Sequence, residues 1–181
     1  MPRNVEIKAV LKDTDAAHAI AIRICDRAPE IIHQDDIFFA CPEARLKLRI
    51  VAPDRGELIR YERTDHAKIR SSRYSIARTT DPDALLEILT RTLGRTGTVK
   101  KTRTLYLVGQ ARIHIDEVEG LGSFLELEVV LDPNQSEADG ERIAKSLLSD
   151  FGIDSSQFVA EAYVDLLMAK VARTDAKKNN P

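Results

Sequence analysis

Between Val99 and Leu131, polar and ionisable side chains return at every second residue. Lys101 pairs with Arg103, then Arg112, His114 and Asp116 interleave with Ile113 and Ile115, and Glu126 and Glu128 flank Leu127. Residues two apart in a strand share a face, so each run carries one charged side and one apolar side. A half-exposed antiparallel sheet alternates in the same way, and that reading suits any one of these strands taken alone. The pattern recurs, however: Glu6 and Lys8 alternate with Val5, Ile7 and Ala9, and Arg45, Lys47 and Arg49 with Leu46, Leu48 and Ile50. If these strands form one closed sheet whose apolar sides face helices or a partner, the charged sides must line the inside. The interior is then a channel, basic on some walls and acidic on others.

The rest of the chain supplies the strands and helices this requires. Strands are expected at 3–11, 31–40, 44–52, 57–64 and 68–79, followed by three within 99–131, eight in all. Pro53-Asp54-Arg55-Gly56 is a hairpin turn; Gly109-Gln110 and Glu119-Gly120-Leu121-Gly122 are the later turns, with glycine available for positive φ. In the strand at 57–64, Arg60 and Glu62 share one side and Tyr61 and Arg63 the other, which leaves its inward register open. In the next, Arg70, Ser72 and Tyr74 share a face.

A first helix, 15–28, is capped by Asp13 or Thr14, carries Ala16, Ala19, Ile20, Arg23 and Ile24 on one stripe, and stops at Pro29. A second, 82–93, starts at Asp81-Pro82, buries Leu85, Leu86, Ile88 and Leu89, and ends at Gly94. A third begins at Ser136 with Ile143, Ala144, Leu147 and Leu148 inward; a fourth, near 160–172, carries Tyr163, Leu166 and Leu167. The expected architecture is α+β: an eight-stranded antiparallel closed β-barrel with flanking helices. Residues 1–172 form one domain and 173–181 a disordered tail.

Composition narrows the function. With 27 basic and 29 acidic residues, bulk charge does not suggest nucleic-acid binding, so phosphate chemistry must come from local charge sorting. Cys25 and Cys41 lack metal or disulfide spacing and are expected as buried free thiols in a reducing cytosol. The start Met-Pro-Arg-Asn has no signal-peptide core and no apolar run suffices to span a bilayer. A cytoplasmic protein without membrane or nucleic-acid partners is expected.

Taken in order, Val5-Glu6-Ile7-Lys8, Arg45-Leu46-Lys47-Leu48-Arg49, Val99-Lys100-Lys101-Thr102-Arg103, Asp116-Glu117-Val118-Glu119-Gly120-Leu121-Gly122, Phe124-Leu125-Glu126-Leu127-Glu128 and Tyr163-Val164-Asp165-Leu166-Leu167 resemble the CYTH family. This family, the triphosphate tunnel metalloenzymes, includes class IV adenylyl cyclases, thiamine triphosphatases and inorganic triphosphatases. The resemblance covers nearly the whole chain. It implies an eight-stranded antiparallel tunnel that binds a triphosphate and a divalent metal. One position departs from it. The family's Glu-x-Glu-x-Lys reads Asn4-x-Glu6-x-Lys8 here, which removes one charged oxygen ligand.

The residue types fit that chemistry on physical grounds. A triphosphate buried from water needs cationic partners. Arg49 and Arg103 can grip phosphate oxygens with paired hydrogen bonds, and Lys8, Lys47 and Lys101 act as point charges. Arg60, Arg70 and Arg112 complete the candidate substrate-binding set. Glu6, Asp116, Glu126 and Glu128 would repel the same ligand unless a cation lies between, so they are candidate ligands for Mg2+ or Mn2+; plain salt bridges to neighbouring Lys and Arg are the rival reading. Lys8 is the candidate catalytic group, as a proton-transfer aid or an electrostatic anchor. His114, on the face of Asp116, is read either as a packed histidine or as a contact to that carboxylate.

The expected activity is metal-dependent hydrolysis of tripolyphosphate, thiamine triphosphate or a nucleoside triphosphate. The alternatives are cyclisation of ATP with release of pyrophosphate and, from another class, non-catalytic binding of polyphosphate or nucleotide. Phe38, Phe39, Tyr61 and Tyr74 are available to a base pocket, though core packing accounts for them equally. The resemblance and an uncovered outer sheet face make a homodimer plausible.

Overall fold

The computed structural model describes residues 3–62 and 73–178. Eight strands, β1 (Arg3–Val10), β2 (Glu30–Phe39), β3 (Arg45–Ala52), β4 (Arg55–Glu62), β5 (Arg73–Thr79), β6 (Arg95–Val108), β7 (Ala111–Val118) and β8 (Gly122–Leu131), form one sheet in the order β1-β8-β7-β6-β2-β3-β4-β5. Every pairing is antiparallel. Among the described residues four α-helices accompany the sheet: α1 (Thr14–Ile24), α2 (Pro82–Leu93), α3 (Glu137–Asp150) and α4 (Tyr163–Lys178). This is the α+β architecture the alternation implies, with one amendment. Among the described residues β1 and β5, the two ends of the order, are not paired with each other, so the expected closed barrel is a curled sheet with a seam. Part of the β1 edge is engaged otherwise: Val159 N–H donates to the Lys8 carbonyl at 2.9 Å and Ala9 bridges to Phe158. A strand edge hydrogen-bonded to another segment cannot also pair with β5.

The apolar faces turn outward, against the helices. Val5, Ile7, Ile113, Ile115, Leu125, Leu127 and Val129 form one core with Ala17 and Ala21 of α1 and Ala144 and Leu148 of α3. Ile37, Phe39 and Leu48 form another with Leu89 of α2. Full burial of such side chains stabilises by about 1.5–3 kcal/mol each, so the helices hold these faces outward and direct the charged faces inward. A one-residue slip would exchange the two faces.

Local chemistry starts each helix. Asp13 accepts from Ala16 N–H at 2.9 Å, Asp81 from Ala84 N–H at 3.0 Å with Pro82 opening α2, and Ser136 and Asp139 form a capping box on α3. The inward stripe of α1 is Ala17 and Ala21 rather than Ala16 and Ala19, and this helix ends at Ile24. With alanine around the whole helix the periodicity does not discriminate. Ile88, expected inside, is exposed. The expected fifth strand is described from Arg73 onward, and α4 starts later and runs further than expected, to Lys178. Cys25 and Cys41 are free and half-buried.

Candidate active site

Asn4 on β1 and Tyr74 on β5, from opposite ends of the strand order, line the same cavity of about 250 Å³. The sheet therefore curls around it. Its walls carry Lys8, Lys47, Arg49, Lys101 and Arg103, with Glu6, Asp36, Glu126 and Glu128 among them. Cross-strand register places opposite charges side by side: Asp36 beside Arg49, Asp116 beside Arg103, Glu126 beside Lys8, Glu128 beside Arg112.

Two buried carboxylates organise the cations. Asp36 accepts from Lys47 Nζ at 2.7 Å and from Arg49 Nε and Nη2 at 2.7 and 2.9 Å. Asp116, with no exposed surface, accepts from Arg103 Nε and Nη2 at 2.6 and 2.7 Å, Lys101 Nζ at 2.8 Å and the Tyr163 hydroxyl at 3.1 Å. Burial works against ionising either carboxyl, but Lys47 and Arg49 hold Asp36 far below the usual range, and Arg103 and Lys101 hold Asp116 at about 2. Burial, with Arg49 alongside, pulls Lys47 down to about 8 despite Asp36. Lys101 is likewise lowered by burial and then by Arg103.

Asp116, expected among the metal ligands, thus has both oxygens engaged by cations and the tyrosine. It braces Lys101 and Arg103 from beneath. Glu126 accepts from Arg103, and its carboxyl is held well below the usual range: burial opposes ionisation, while Arg103 and then Lys8 outweigh it. Glu128 accepts from Asn4 Nδ2 at 2.5 Å and Arg112 Nη1 at 3.3 Å.

Of the expected phosphate-binding residues, Lys8, Lys47, Arg49, Lys101 and Arg103 are brought together. Arg112 sits at the edge, its side chain 48 % exposed. Arg60 is cross-strand to Leu46, on the outer face, because Tyr61 and Ile59 take the inward positions of β4. Arg70 lies outside the described residues. His114 is buried on the wall, and among the described residues its Nδ1 has no hydrogen-bond partner; burial and then Arg103 keep it neutral. Phe38, Tyr61 and Tyr74 line the cavity with Ile59, Ile76 and Val99, whereas Phe39 faces α2.

Two participants escape the charge pattern of 99–131. Asp36 lies in the polar alternation Gln34, Asp36, Phe38, and asking which carboxylate balances Lys47 and Arg49 would have singled it out. Tyr163 reads as one more apolar helix residue, yet its ring is 4.2 Å from Lys8 Nζ and 5.2 Å from Lys101 Nζ. Its fragment, Tyr163 to Leu167, carries part of the family resemblance but gives the ring no role.

The fold and site define a class: a curled antiparallel sheet with a charge-sorted concave face, with α1, α2 and α3 packed outside and the start of α4 packed with Phe38 and Val99 on the inner face. Residues 2–163 match the CYTH domain, and the chain belongs to the CYTH domain family. It is 27% identical over 171 residues to the adenylate cyclase CyaB of Aeromonas hydrophila, covering 88% of this chain and 85% of that one. Among solved structures it resembles the PH1012 protein of Pyrococcus horikoshii, with a TM-score of 0.77 at 21% identity over 91% of this chain and 99% of that one. It also resembles a Hippeastrum protein described as a putative adenylyl cyclase with dominant triphosphatase activity. There the TM-score is 0.63 at 13% identity over 94% and 96% of the two chains.

A divalent ion is the cofactor this family generally uses, and the donor set suits a hard one. Among the described residues no three carboxylate, imidazole or thiol groups converge into a cage. Mg2+ needs none, being held typically by one or two carboxylates together with waters and substrate phosphates. Glu6 and Glu126, whose carboxyls are within hydrogen-bonding reach of each other, face the cavity with Glu128 alongside.

Proposed function

We propose that this protein is a metal-dependent hydrolase of a triphosphate-containing small molecule bound on the concave face of the sheet. The observation that carries this reading is the convergence of Lys8, Lys47, Arg49, Lys101 and Arg103 on one cavity. These cations are already matched by Glu6, Asp36, Glu126, Glu128 and the underlying Asp116. A highly anionic guest entering this balanced lumen is therefore favoured when it arrives with divalent cations. Glu6 and Glu126, with Glu128 beside them, would hold the ion, Mg2+ or Mn2+.

When bound, the ion would neutralise phosphate oxygens and favour loss of the terminal phosphoryl group. The chain's part is positional. Arg49 and Arg103 present guanidinium forks braced by Asp36 and Asp116, suited to paired bonds to phosphate oxygens. Lys8, aimed by the Glu161 carbonyl at 3.1 Å, supplies a point charge where negative charge develops. A water attacking the terminal phosphorus would form the new P–O bond as the bridging P–O bond breaks, giving orthophosphate and the diphosphate portion of the substrate, with the water's proton passing to solvent.

The apolar wall of Phe38, Ile59, Tyr61, Tyr74 and Ile76 favours a second reading. It could hold a nucleobase, turning a ribose hydroxyl toward the α-phosphorus for cyclisation. One experiment separates them: incubation with tripolyphosphate, thiamine triphosphate or ATP plus Mg2+ or Mn2+, with chromatographic resolution of products. Orthophosphate release supports the hydrolase. Cyclic AMP with pyrophosphate replaces it by the cyclase, and tight binding without turnover by a binding protein.

A further inference from the structure

The segment entering α4 and the first turn of that helix pack against the concave face at Phe38, Val99 and Phe124 and make four attachments. Val159 N–H donates to the Lys8 carbonyl at 2.9 Å, and the Glu161 carbonyl accepts from Lys8 Nζ at 3.1 Å. Asp165 accepts both guanidinium nitrogens of Arg45 on β3, at 3.0 and 2.8 Å. Val164 lies against Gly97 of β6, so close that a Cβ there would stand 2.5 Å from Val164 Cγ2. These contacts hold Tyr163, 8% exposed, against the cavity floor.

We infer that Tyr163 is a positioning residue: its ring fixes Lys8 and Lys101 at the angle at which they meet the bound phosphates, and its hydroxyl locks the ring to Asp116. The geometry supports each part. An aromatic face attracts an ammonium within about 6 Å of its centroid, more strongly when both are desolvated. Both ammonium groups meet that condition, at 4.2 and 5.2 Å, on side chains themselves buried. Lysine has four flexible torsions and no directional fork, so its ammonium needs an external guide to occupy one place. Asp116 guides Lys101 at 2.8 Å, and Lys8 Nζ reaches the Glu161 carbonyl at 3.1 Å. The ring and the Glu161 carbonyl come from one short stretch of chain, so the lead-in to α4 orients the ammonium at the end of β1.

This inference rests on the proposed function for its consequence but not for its geometry, and the test separates the two. The full chain is labelled with acetic anhydride and per-lysine rates are read by mass spectrometry, with exposed Lys145 as the internal reference. Tripolyphosphate affinity is measured in parallel by calorimetry. Tyr163→Phe keeps the ring without its bond to Asp116, is expected to raise the labelling of Lys8 and Lys101 less than Tyr163→Leu does, and is the hydroxyl-free reference for the fluorinated ring. Tyr163→Leu is expected to raise their labelling several-fold and to weaken tripolyphosphate by about ten-fold. Replacement of Tyr163 by pentafluorophenylalanine keeps the shape and removes the electron-rich face, so it should behave like Leu even if Leu itself disrupts folding. Unchanged lysine labelling with the fluorinated ring overturns the inference. The expected labelling changes without tripolyphosphate binding by the wild-type chain would uphold the positioning and overturn the proposed function instead.

Discussion

Replacing Asp116 by asparagine tests whether this carboxylate braces cations or waits for a metal. The substitution keeps the shape and one acceptor oxygen but removes the charge that receives Lys101 at 2.8 Å and Arg103 at 2.6 and 2.7 Å. Removing one partner of a buried ion pair costs about 3–5 kcal/mol, because the other charge stays buried. Glu126 still faces Arg103 and the amide oxygen still accepts one bond, so the lower end, about 3 kcal/mol, is expected. For a chain of this length that corresponds to a fall in Tm of about 6–12 °C and a drop in urea midpoint of about 1–1.5 M at unchanged m.

The assay is thermal and urea unfolding in EDTA, so that no ion contributes. A pH series adds a sign. Asp116 is held at about 2 in the folded chain against about 3.9 unfolded, so its contribution is complete above about pH 4 and is lost as the pH falls through about 2. The gap between wild type and variant should close over that window. A carboxylate kept for a metal would behave oppositely in EDTA, since its loss would relieve repulsion from Glu126. An unchanged or raised Tm for Asp116→Asn would refute the bracing role.

Lys47, drawn down to about 8 by burial and Arg49, should make tripolyphosphate affinity decline as the pH rises above about 8, since the free site then loses a cation that the anion would retain; Lys47→Arg should flatten that limb in pH-dependent calorimetry. Arg49→Ala should lower kcat/KM at least ten-fold, whereas Arg60→Ala, on the outer face of β4, should leave it within two-fold in the same kinetic assay. Asn4→Glu places a second charge beside Glu128, now bonded by the amide at 2.5 Å, and should tighten Mn2+ several-fold in titration calorimetry; no change would mean this position does not reach the ion. Gly97→Ala sets a Cβ 2.5 Å from Val164 Cγ2 and should destabilise the chain by about 1–3 kcal/mol, measured by urea unfolding, because α4 must shift from β6.

The sequence by itself determined which faces are charged and hence, once the strands join in one sheet, that those faces gather on one side. Alternation at Glu6-Ile7-Lys8, Lys47-Leu48-Arg49 and Glu126-Leu127-Glu128 is a local property: the two-residue period of a strand enforces it whatever the neighbours do. The class of fold and five of the cavity's cations were legible for that reason. What only the tertiary structure decided is which partner each charge takes. Arg60 and Tyr61 compete for one inward position, and the register of β4 against β3 settles it for Tyr61. The sequence shows Asp116 as a carboxylate without partners; its cations come from β6 and its tyrosine from α4, 47 residues away. The seam in the sheet was equally hidden, since the competitor for the β1 edge lies at 158–159. Periodicity reports on neighbours along the chain, whereas ion pairs, a cation over a ring and the occupant of a strand edge are settled by segments that meet only after folding.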